Sequence, residues 1–193
     1  GNFTSGLTRG STAPATAANA GEVFAPFKSK QYEVGTKVDT GRVLLGAAVF
    51  QIDRPNAITD PLTTIYSLDG TQRNRGLELS AVGEAAPGLR LMTSATFYNA
   101  KQQRTAGGIN EGKKATGVPK NAFNAGVDLD LPWISGLSLN ARAIHTAELA
   151  QNVTNTVYIS SWTRFDLGAR YRTELMGKPV VLRASIENAA NKR

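Results

Sequence analysis

The sequence has no cysteine and a single histidine, His145, among its 193 residues. Without cysteine there is no disulfide framework, no thiolate nucleophile and no zinc finger or ribbon. One histidine leaves little scope for a His-based metal site or a His-dependent catalytic triad. We expect His145 to be a polar residue of a strand, and we expect no metal site and no catalytic residues.

Long hydrophobic runs are also absent. The longest strongly apolar run covers residues 43–50, whereas a helix that spans a membrane needs about 20 such residues. The first residues show no basic segment followed by an apolar one, so no signal peptide is expected there. The sequence therefore argues against an α-helical membrane protein.

Aromatic residues are few, at 7%, and the net charge is +7. This charge does not indicate nucleic-acid binding, because the lysines and arginines are scattered and stacking aromatics are scarce. A glycine-rich segment, residues 107–114, imitates a phosphate-binding loop. Lys114 stands where such a loop needs Ser or Thr, and Gly117 and Pro119 oppose a following helix. We expect an ordinary loop there and no nucleic-acid partner.

The dominant pattern is alternation with a period of two residues. In residues 32–39, Tyr32, Val34 and Val38 share one face of a strand while charged residues occupy the other. The pattern recurs in residues 121–131, 137–143, 164–172 and 180–187, and with more noise in 42–53, 75–84 and 89–101. The sequence thus predicts eight strands of about 10 to 13 residues, with a strand end near residues 2–7. Strands of soluble domains usually have about 5 or 6 residues, whereas tilted membrane-spanning strands need about 9 to 11.

The connections alternate between short and long. The short ones are residues 40–41, 86–88, 132–136 and 174–178, and the long ones are residues 8–29, 54–70, 102–117 and 148–159. In an antiparallel meander this alternation collects the short turns on one side and the long loops on the other. Outer-membrane β-barrels have short periplasmic turns and longer external loops. We therefore predict an all-β fold, an antiparallel transmembrane β-barrel segment forming one partial barrel domain.

The polar faces of these strands carry both signs of charge, as expected of the lumen of a barrel. We predict a lumen charge network made of Glu33, Lys37, Glu78, Asp128, Asp130, Arg142, Arg164, Asp166, Arg170, Arg183 and Glu187. Asp128 and Asp130 share a face, and we expect them to pair with Arg142 or neighbouring arginines rather than to bind calcium or perform acid–base chemistry. The alternative is a soluble antiparallel sheet with one solvated face.

Eight short stretches carry a family resemblance through their order and spacing. They are residues 19–22 (NAGE), 28–35 (KSKQYEVG), 50–56 (FQIDRPN), 70–79 (GTQRNRGLEL), 99–101 (NAK), 117–121 (GVPKN), 166–171 (DLGARY) and 187–192 (ENAANK). Along essentially its whole length, the chain resembles the C-terminal barrel portion of a TonB-dependent outer-membrane siderophore receptor of the ferric-hydroxamate, or ferrichrome, type.

Such receptors have about 22 strands around a globular plug. The resemblance implies that this sequence is a piece lacking the N-terminal plug and the last strand, so that its eight strands correspond to numbers 14 to 21. The implied activity is uptake of a ferric siderophore, bound by external loops and plug and released inward when TonB acts on the plug. Iron would be carried within the siderophore, without a protein cofactor, and the protein would not be an enzyme.

The resemblance also implies partners and a location. We expect a monomer in the outer membrane of a Gram-negative bacterium, in contact with outer-membrane lipid and lipopolysaccharide, and with TonB through the missing plug region. External-loop aromatics are the candidate siderophore ligands, namely Phe27, Tyr66 and Tyr158. Trp133 is expected in the aromatic girdle at the short-turn end, and Tyr98 and Trp162 in the girdle near the long loops.

Two other interpretations remain open from the residues alone. A small closed barrel is one, because eight strands are enough for closure. A soluble all-β binding module is the other, and it would stay monodisperse without detergent. An enzyme would need a convergent set of acid, base or nucleophile, and we find none in the sequence.

Overall fold

The computed structural model describes residues 1–190, which fold mainly into strands. The strands are β1 (Asn2–Thr8), β2 (Phe27–Asp39), β3 (Val43–Thr59), β4 (Tyr66–Ala86), β5 (Leu89–Arg104), β6 (Asn121–Asp130), β7 (Leu137–Thr146), β8 (Leu149–Ala150), β9 (Tyr158–Ile159), β10 (Trp162–Leu175) and β11 (Lys178–Ile186). One short 3-10 turn covers Ala106–Gly108. Within residues 1–190, no helix has the length and hydropathy needed to cross a membrane.

Nine of the strands form one antiparallel sheet in the order β1-β2-β3-β4-β5-β6-β7-β10-β11, and β8 and β9 form a separate ribbon. Strands adjacent along the chain are therefore neighbours in the sheet, as in an up-and-down meander. The sheet is open, with β1 and β11 at its edges. The predicted meander of eight long strands and a strand end is confirmed. Residues 191–192, which end the last stretch of the resemblance, lie outside the described part.

The register assigns every strand residue to a face, because directly paired residues of an antiparallel sheet point the same way. One row across the sheet is apolar and consists of Leu91, Val127, Ala141, Leu167 and Ile186. The row beside it is polar or small and consists of Arg90, Asp128, Asn140, Gly168 and Ser185. The sheet thus has an apolar face and a polar face.

The apolar face is uncovered. Val34, Leu167 and Leu182 expose 64%, 48% and 58% of their surface, and the buried apolar residues of the described chain are mostly alanines. Contact between apolar surface and water costs about 25 cal/mol per Å², so a face of this extent needs another apolar phase or a partner. Lipid hydrocarbon provides that phase for a sheet whose backbone groups are paired internally.

Two of the four long loops, residues 9–26 and 60–65, are shorter than predicted because the flanking strands continue past their apparent ends. The predicted loop 54–70 shrinks to residues 60–65, since β3 runs through Pro55 to Thr59. Pro55 still pairs with Thr71, and the register shifts between Asn56 and Ile58. The turn-like residues Pro55 and Asn56 concealed this extension from the sequence analysis. The other long connections cover residues 9–26, 105–120 and 147–161, the last containing the β8–β9 ribbon.

His145 is a residue of β7 and belongs to the apolar face, where its ring stacks on Phe123 at 5.9 Å and its Nδ1 atom lies 2.8 Å from Thr163 Oγ1. Two aromatic residues lie on the opposite face from the one that the predicted girdle requires. Tyr98 and Trp162 belong to the polar face, so neither is part of a lipid-facing girdle. Tyr98 lies in the row of Gly76, and Trp162 in the row of Thr146. Position along a strand suggested the girdle, whereas the register decides the face.

Candidate functional site

An ion-pair cluster lies on the polar face near the short turns. The Arg90 guanidinium donates to both carboxylate oxygens of Asp130 at 2.8 and 2.7 Å, and it also contacts Asp128. Arg170 lies 3.4 Å from Asp128 and 3.8 Å from Asp130. The Ser138 hydroxyl donates to Asp130 at 2.6 Å. Two arginines therefore balance two aspartates, and the cluster ties β5, β6, β7 and β10 together.

The partners of the two aspartates differ in part from the prediction. Arg170 is among the neighbouring arginines expected, but Arg142 instead donates to Asn124 at 2.9 Å. Arg90 is the principal partner and was missed. Its signal is present in the sequence, because Arg90 alternates with Leu89 and Leu91 directly after a short turn. The noise further along β5 obscured that alternation.

A second cluster lies on the polar face of β10. Arg164 and Asp166, two residues apart on the same face, are joined by two hydrogen bonds of 2.7 and 2.8 Å. Glu187 lies 3.6 Å from Arg164, immediately after β11. The backbone N–H of Asn188 donates to Asp166 at 2.9 Å. Three predicted lumen residues are thereby brought together at the edge of the sheet.

The remaining predicted lumen residues are more dispersed. Glu33 accepts a hydrogen bond from Gln31 at 3.2 Å. Glu33, Lys37 and Glu78 line a groove of about 620 Å³ on the polar face. Within residues 1–190, no ion pair joins Lys37, Glu78 or Arg183 to an opposite charge. Their assignment to a lumen stays a prediction.

On the long-loop side, the first two loops are joined by an asparagine. The backbone N–H of Tyr66 donates to Asn19 Oδ1 at 2.9 Å, and Asn19 Nδ2 donates to the Tyr66 carbonyl at 2.9 Å. The Tyr66 hydroxyl lies 2.8 Å from Ser11 Oγ, and the Phe24 ring packs at 5.5 Å against the Tyr66 ring. We call residues 9–26 and 60–65 the first loop pair.

The third and fourth loops are joined in the same way. The Lys114 N–H donates to Asn155 Oδ1 at 2.7 Å, and Asn155 Nδ2 donates to the Lys114 carbonyl at 3.1 Å. Gln102 Nε2 donates to the Val153 carbonyl at 3.0 Å, and Lys113 Nζ to the Thr154 carbonyl at 3.2 Å. We call residues 105–120 and 147–161 the second loop pair.

In each pair, one asparagine amide imitates a neighbouring strand by satisfying the N–H and C=O of a single residue. Asn19 and Asn155 were not singled out from the sequence, although Asn19 begins one of the stretches that carry the resemblance. Their partners lie 47 and 41 residues away in the chain. No local sequence pattern predicts such a contact.

The loop of residues 60–65 has an additional internal stabilisation. The carboxylate of Asp60 accepts hydrogen bonds from the backbone N–H groups of Thr63 and Leu62, each at 2.8 Å. These two donors, Thr63 foremost, hold the pKa of Asp60 below its usual value. The loop therefore depends on an ionised carboxylate.

The three predicted ligand aromatics do not form one cluster. Tyr66 is the first residue of β4 and is held by Asn19 and Ser11 of the first loop pair. Tyr158 belongs to the second, where the Lys114 ammonium lies 5.1 Å from its ring centroid. Phe27 is the first residue of β2, paired with Thr8, rather than a loop residue. Their role in ligand binding stays a prediction.

A basic row crosses the apolar face on the long-loop side, beyond the apolar belt. Its members, in register, are Lys30, Asp53, Arg73 and Lys101. Asp53 accepts from Arg73 at 2.6 Å, so the row keeps a net positive charge. Tyr32 and Arg75 lie on the same face, closer to the belt.

The site offers binding chemistry rather than reactive groups. Within residues 1–190, no group of three or more His, Asp or Glu side chains is placed to hold a metal ion. What the geometry provides is a charged wall, grooves on that wall and a rim of paired loops.

The sequence matches the family model described as TonB dependent receptor-like, beta-barrel, over residues 1–189. The chain belongs to the TonB-dependent receptors. It is 38% identical over 175 residues to the ferrichrome receptor FcuA of Yersinia enterocolitica, covering 91% of this chain and 23% of FcuA. It is 30% identical over 172 residues to the ferrichrome outer membrane transporter/phage receptor of Escherichia coli, covering 84% of this chain and 23% of that receptor. The family resemblance is confirmed.

Solved receptors share the fold. The ferric preacinetobactin receptor BauA of Acinetobacter baumannii superposes with a TM-score of 0.86 and 38% identity, over 98% of this chain and 29% of BauA. The siderophore receptor PiuA of the same species gives a TM-score of 0.80 at 21% identity, over 99% of this chain and 29% of PiuA. At this identity the match supports the fold alone. The chain spans about a quarter of the length of these relatives.

The comparisons also bear on location and class. Receptors of this family lie in the outer membrane of Gram-negative bacteria, so the predicted location is confirmed. The relatives are named receptors and transporters rather than enzymes. The sheet is therefore part of the wall of an outer-membrane barrel.

Proposed function

We propose that the receptor containing this chain takes up ferric siderophores across the outer membrane. The observation that carries the proposal is the 38% identity to a ferrichrome receptor along 91% of the chain, on a sheet with one lipid-compatible face and one charged face. The long-loop side faces outward and binds the chelate. TonB, acting on a plug supplied by the rest of the receptor, drives its release into the periplasm.

In this proposal the chain acts as a wall and rim, not as a catalyst. The clusters around Asp130 and Asp166 line the lumen, where fixed charges can hold a plug by hydrogen bonds and ion pairs. The groove beside Glu33, Lys37 and Glu78 also contains Gly35, Gly46 and Ser80, whose small side chains leave room for another segment. Iron remains coordinated by its chelator, so the wall needs no metal ligand, and a single chain forms the whole transporter.

The basic row supports a proposed contact with lipopolysaccharide. Lys30, Arg73 and Lys101 lie on the lipid-facing side of the sheet toward the long loops, where the phosphates of the outer leaflet are found. Ammonium and guanidinium groups bind phosphate oxygens by charge-assisted hydrogen bonds. The apolar belt below the row contacts the acyl chains.

Uptake is tested with the full receptor gene in a Gram-negative host lacking its own siderophore receptors. We expect accumulation of ⁵⁵Fe supplied as a ferric siderophore, and its loss when the host's tonB is deleted. A panel of hydroxamate, catecholate and carboxylate chelates identifies the class transported. An outer-membrane protein that binds none of the panel, or that transports independently of TonB, contradicts the proposal.

A further inference from the structure

The polar face of the sheet contains an apolar row near the short turns. Leu44, Val82 and Met92 are paired there in register, and they expose 43%, 44% and 63% of their surface. The row continues to Gly126 on β6 and Arg142 on β7. Leu44 and Met92 are among the residues that obscure the alternation of β3 and β5 in the sequence. An apolar patch of this kind is an exception on a face that is otherwise polar or small.

A cavity of about 530 Å³ lies beside this row and extends from β4 to β7. Its lining side chains come from two rows of the polar face, namely Val82, Met92 and Arg142 on one side and Glu84, Arg90 and Asp128 on the other. Gly126 leaves a gap in the first row, because it has no side chain. Neighbouring strands lie about 4.8 Å apart, so the cavity is about 14 Å long across the strands. It opens on the polar face of the sheet.

The two sides of the cavity differ in the hydrogen-bonding capacity that they leave unused. Arg90 and Asp128 form an ion pair with each other. Arg142 uses only its Nε atom in a hydrogen bond, and within the described part of the chain no carboxylate lies at ion-pair distance from it. Asp166, opposite Arg142 in register, is held instead by two hydrogen bonds from Arg164. The terminal amino groups of Arg142 are therefore available to another acceptor.

The apolar row requires a permanent cover. Apolar surface left in water costs about 25 cal/mol per Å², and lipid contacts the opposite face of a barrel wall. A chelate in transit would cover the row only briefly. The row also lies at the short-turn end, away from the long loops through which a chelate enters in the proposed function. The occupant that fits is therefore a part of the same receptor that resides in the lumen.

We propose that this cavity is a seat for the plug of the receptor. An apolar side chain of the plug fills the gap over Gly126 and packs against Val82 and Met92, and a nearby carbonyl or carboxylate oxygen of the plug accepts hydrogen bonds from Arg142. Methionine suits such a contact because its flexible side chain adapts to the shape of its partner. The inference rests on the proposed uptake function, and it adds the place and the chemistry of one contact that holds the plug.

Photo-cross-linking in the full receptor identifies the occupant. p-Benzoylphenylalanine is introduced at Met92, the receptor is irradiated in the outer membrane of a Gram-negative host without added chelate, and cross-linked peptides are identified by mass spectrometry. Leu91 is the matched control, because it adjoins Met92 in β5 but belongs to the apolar face. We expect plug peptides to be cross-linked at position 92 and not at position 91.

Gly126→Trp tests the shape of the seat. A Cβ atom at Gly126 would lie 3.5 Å from the Met92 carbonyl oxygen and 4.0 Å from that of Ala141, so the backbone accepts a side chain there. The indole then occupies the cavity and displaces the plug side chain. Burial of a large apolar side chain changes an equilibrium at least about tenfold, so amide exchange in the cross-linked plug segment should accelerate by at least that factor. Ala125→Trp, one residue away on the apolar face, should leave this exchange within about twofold.

The outcomes separate the seat from the uptake function. A receptor that takes up ferric siderophore but yields no plug peptide at position 92, or equal yields at positions 91 and 92, overturns the seat and leaves uptake standing. Cross-linking that requires added chelate, or that joins a separate protein, also overturns the seat, as does equal exchange in Gly126→Trp and Ala125→Trp. Absence of uptake in a receptor whose position 92 cross-links to the plug overturns the uptake proposal alone. If Gly126→Trp does not assemble, the cross-linking result decides.

Discussion

Removal of the Asn155 side chain should weaken the contact between the third loop and the fourth while leaving the sheet intact. Asn155 makes two hydrogen bonds with the Lys114 backbone, at 2.7 and 3.1 Å, and its φ is +55°. Alanine at this position loses both bonds and is strained at positive φ, whereas glycine loses the bonds without the strain. Asn155→Gly therefore measures the loss of the hydrogen bonds alone, and Asn155→Ala adds the strain of a left-handed backbone conformation.

The magnitude follows from the number of bonds. A hydrogen bond contributes about 0.5–1.5 kcal/mol net, so the loss of two costs about 2 kcal/mol of local stability. The left-handed backbone adds about 1 kcal/mol for alanine. At about 1.4 kcal/mol per factor of ten, amide exchange in residues 105–120 should accelerate about 30-fold for Asn155→Gly and about 100-fold for Asn155→Ala. Asn155→Asp keeps the acceptor for the Lys114 N–H, so it should accelerate amide exchange less than either of the other two variants.

Hydrogen–deuterium exchange of the whole receptor in detergent provides the measurement. Peptides from residues 105–120 and 147–161 should exchange faster in the variants. Peptides from residues 9–26 and 60–65 serve as the internal control, because Asn19 joins them separately. Unchanged exchange in residues 105–120, or equal acceleration in all four loops, would refute two independent loop pairs.

Three further predictions concern the wall and one loop. Leu167→Arg, on the apolar face, should cost about 2–4 kcal/mol of folding stability in lipid vesicles if that face contacts lipid, whereas Ser185→Arg, one row away on the polar face, should cost much less. Equal costs would show that Leu167 does not contact lipid. Arg90→Ala should destabilise the folded barrel by about 1 kcal/mol after solvent screening, and it should therefore unfold at a lower temperature in gel-shift assays, whereas Arg90→Lys should recover only part of the lost stability. An unchanged unfolding temperature for Arg90→Ala would show that the cluster contributes no net stability. Because the pKa of Asp60 is lowered in the folded loop, its stabilisation is present above the unfolded value of 3.8 and is lost as pH falls through the lowered value. Relative to the intrinsic exchange rate at each pH, the protection of residues 60–65 should fall on such acidification in the native receptor but not in Asp60→Asn, and identical pH profiles of protection would contradict this role.

The faces of β6, β7, β10 and β11 could be read from the sequence. Side-chain direction in a strand reverses at every residue, so alternation reports the face without knowledge of the partner strand. Residues 121–131 and 164–172 alternate cleanly, and the structure places them as predicted. The alternation of short and long connections likewise predicted the meander, because the side of each connection depends only on chain order.

Register decided what alternation left open. Residues 43–50 are apolar at nearly every position, so β3 has no face of its own in the sequence. Pairing with Val34 on one side and Leu77 on the other assigns Val49 to the apolar face. The pairing of Tyr98 with Gly76 likewise places Tyr98 on the polar face rather than in the predicted girdle.

Sequence alone was sufficient for the β class, the two-faced sheet, the long-loop side and the family, because each follows from local periodicity or from the order of short stretches. It was not sufficient for the Arg90 cluster or the two asparagine contacts. Those features depend on atoms that are dozens of residues apart in the chain, such as Asn19 with Tyr66 and Asn155 with Lys114. Only the folded backbone brings such atoms within hydrogen-bond distance, because a side-chain amide recognises the N–H and C=O of its partner and not the identity of that residue.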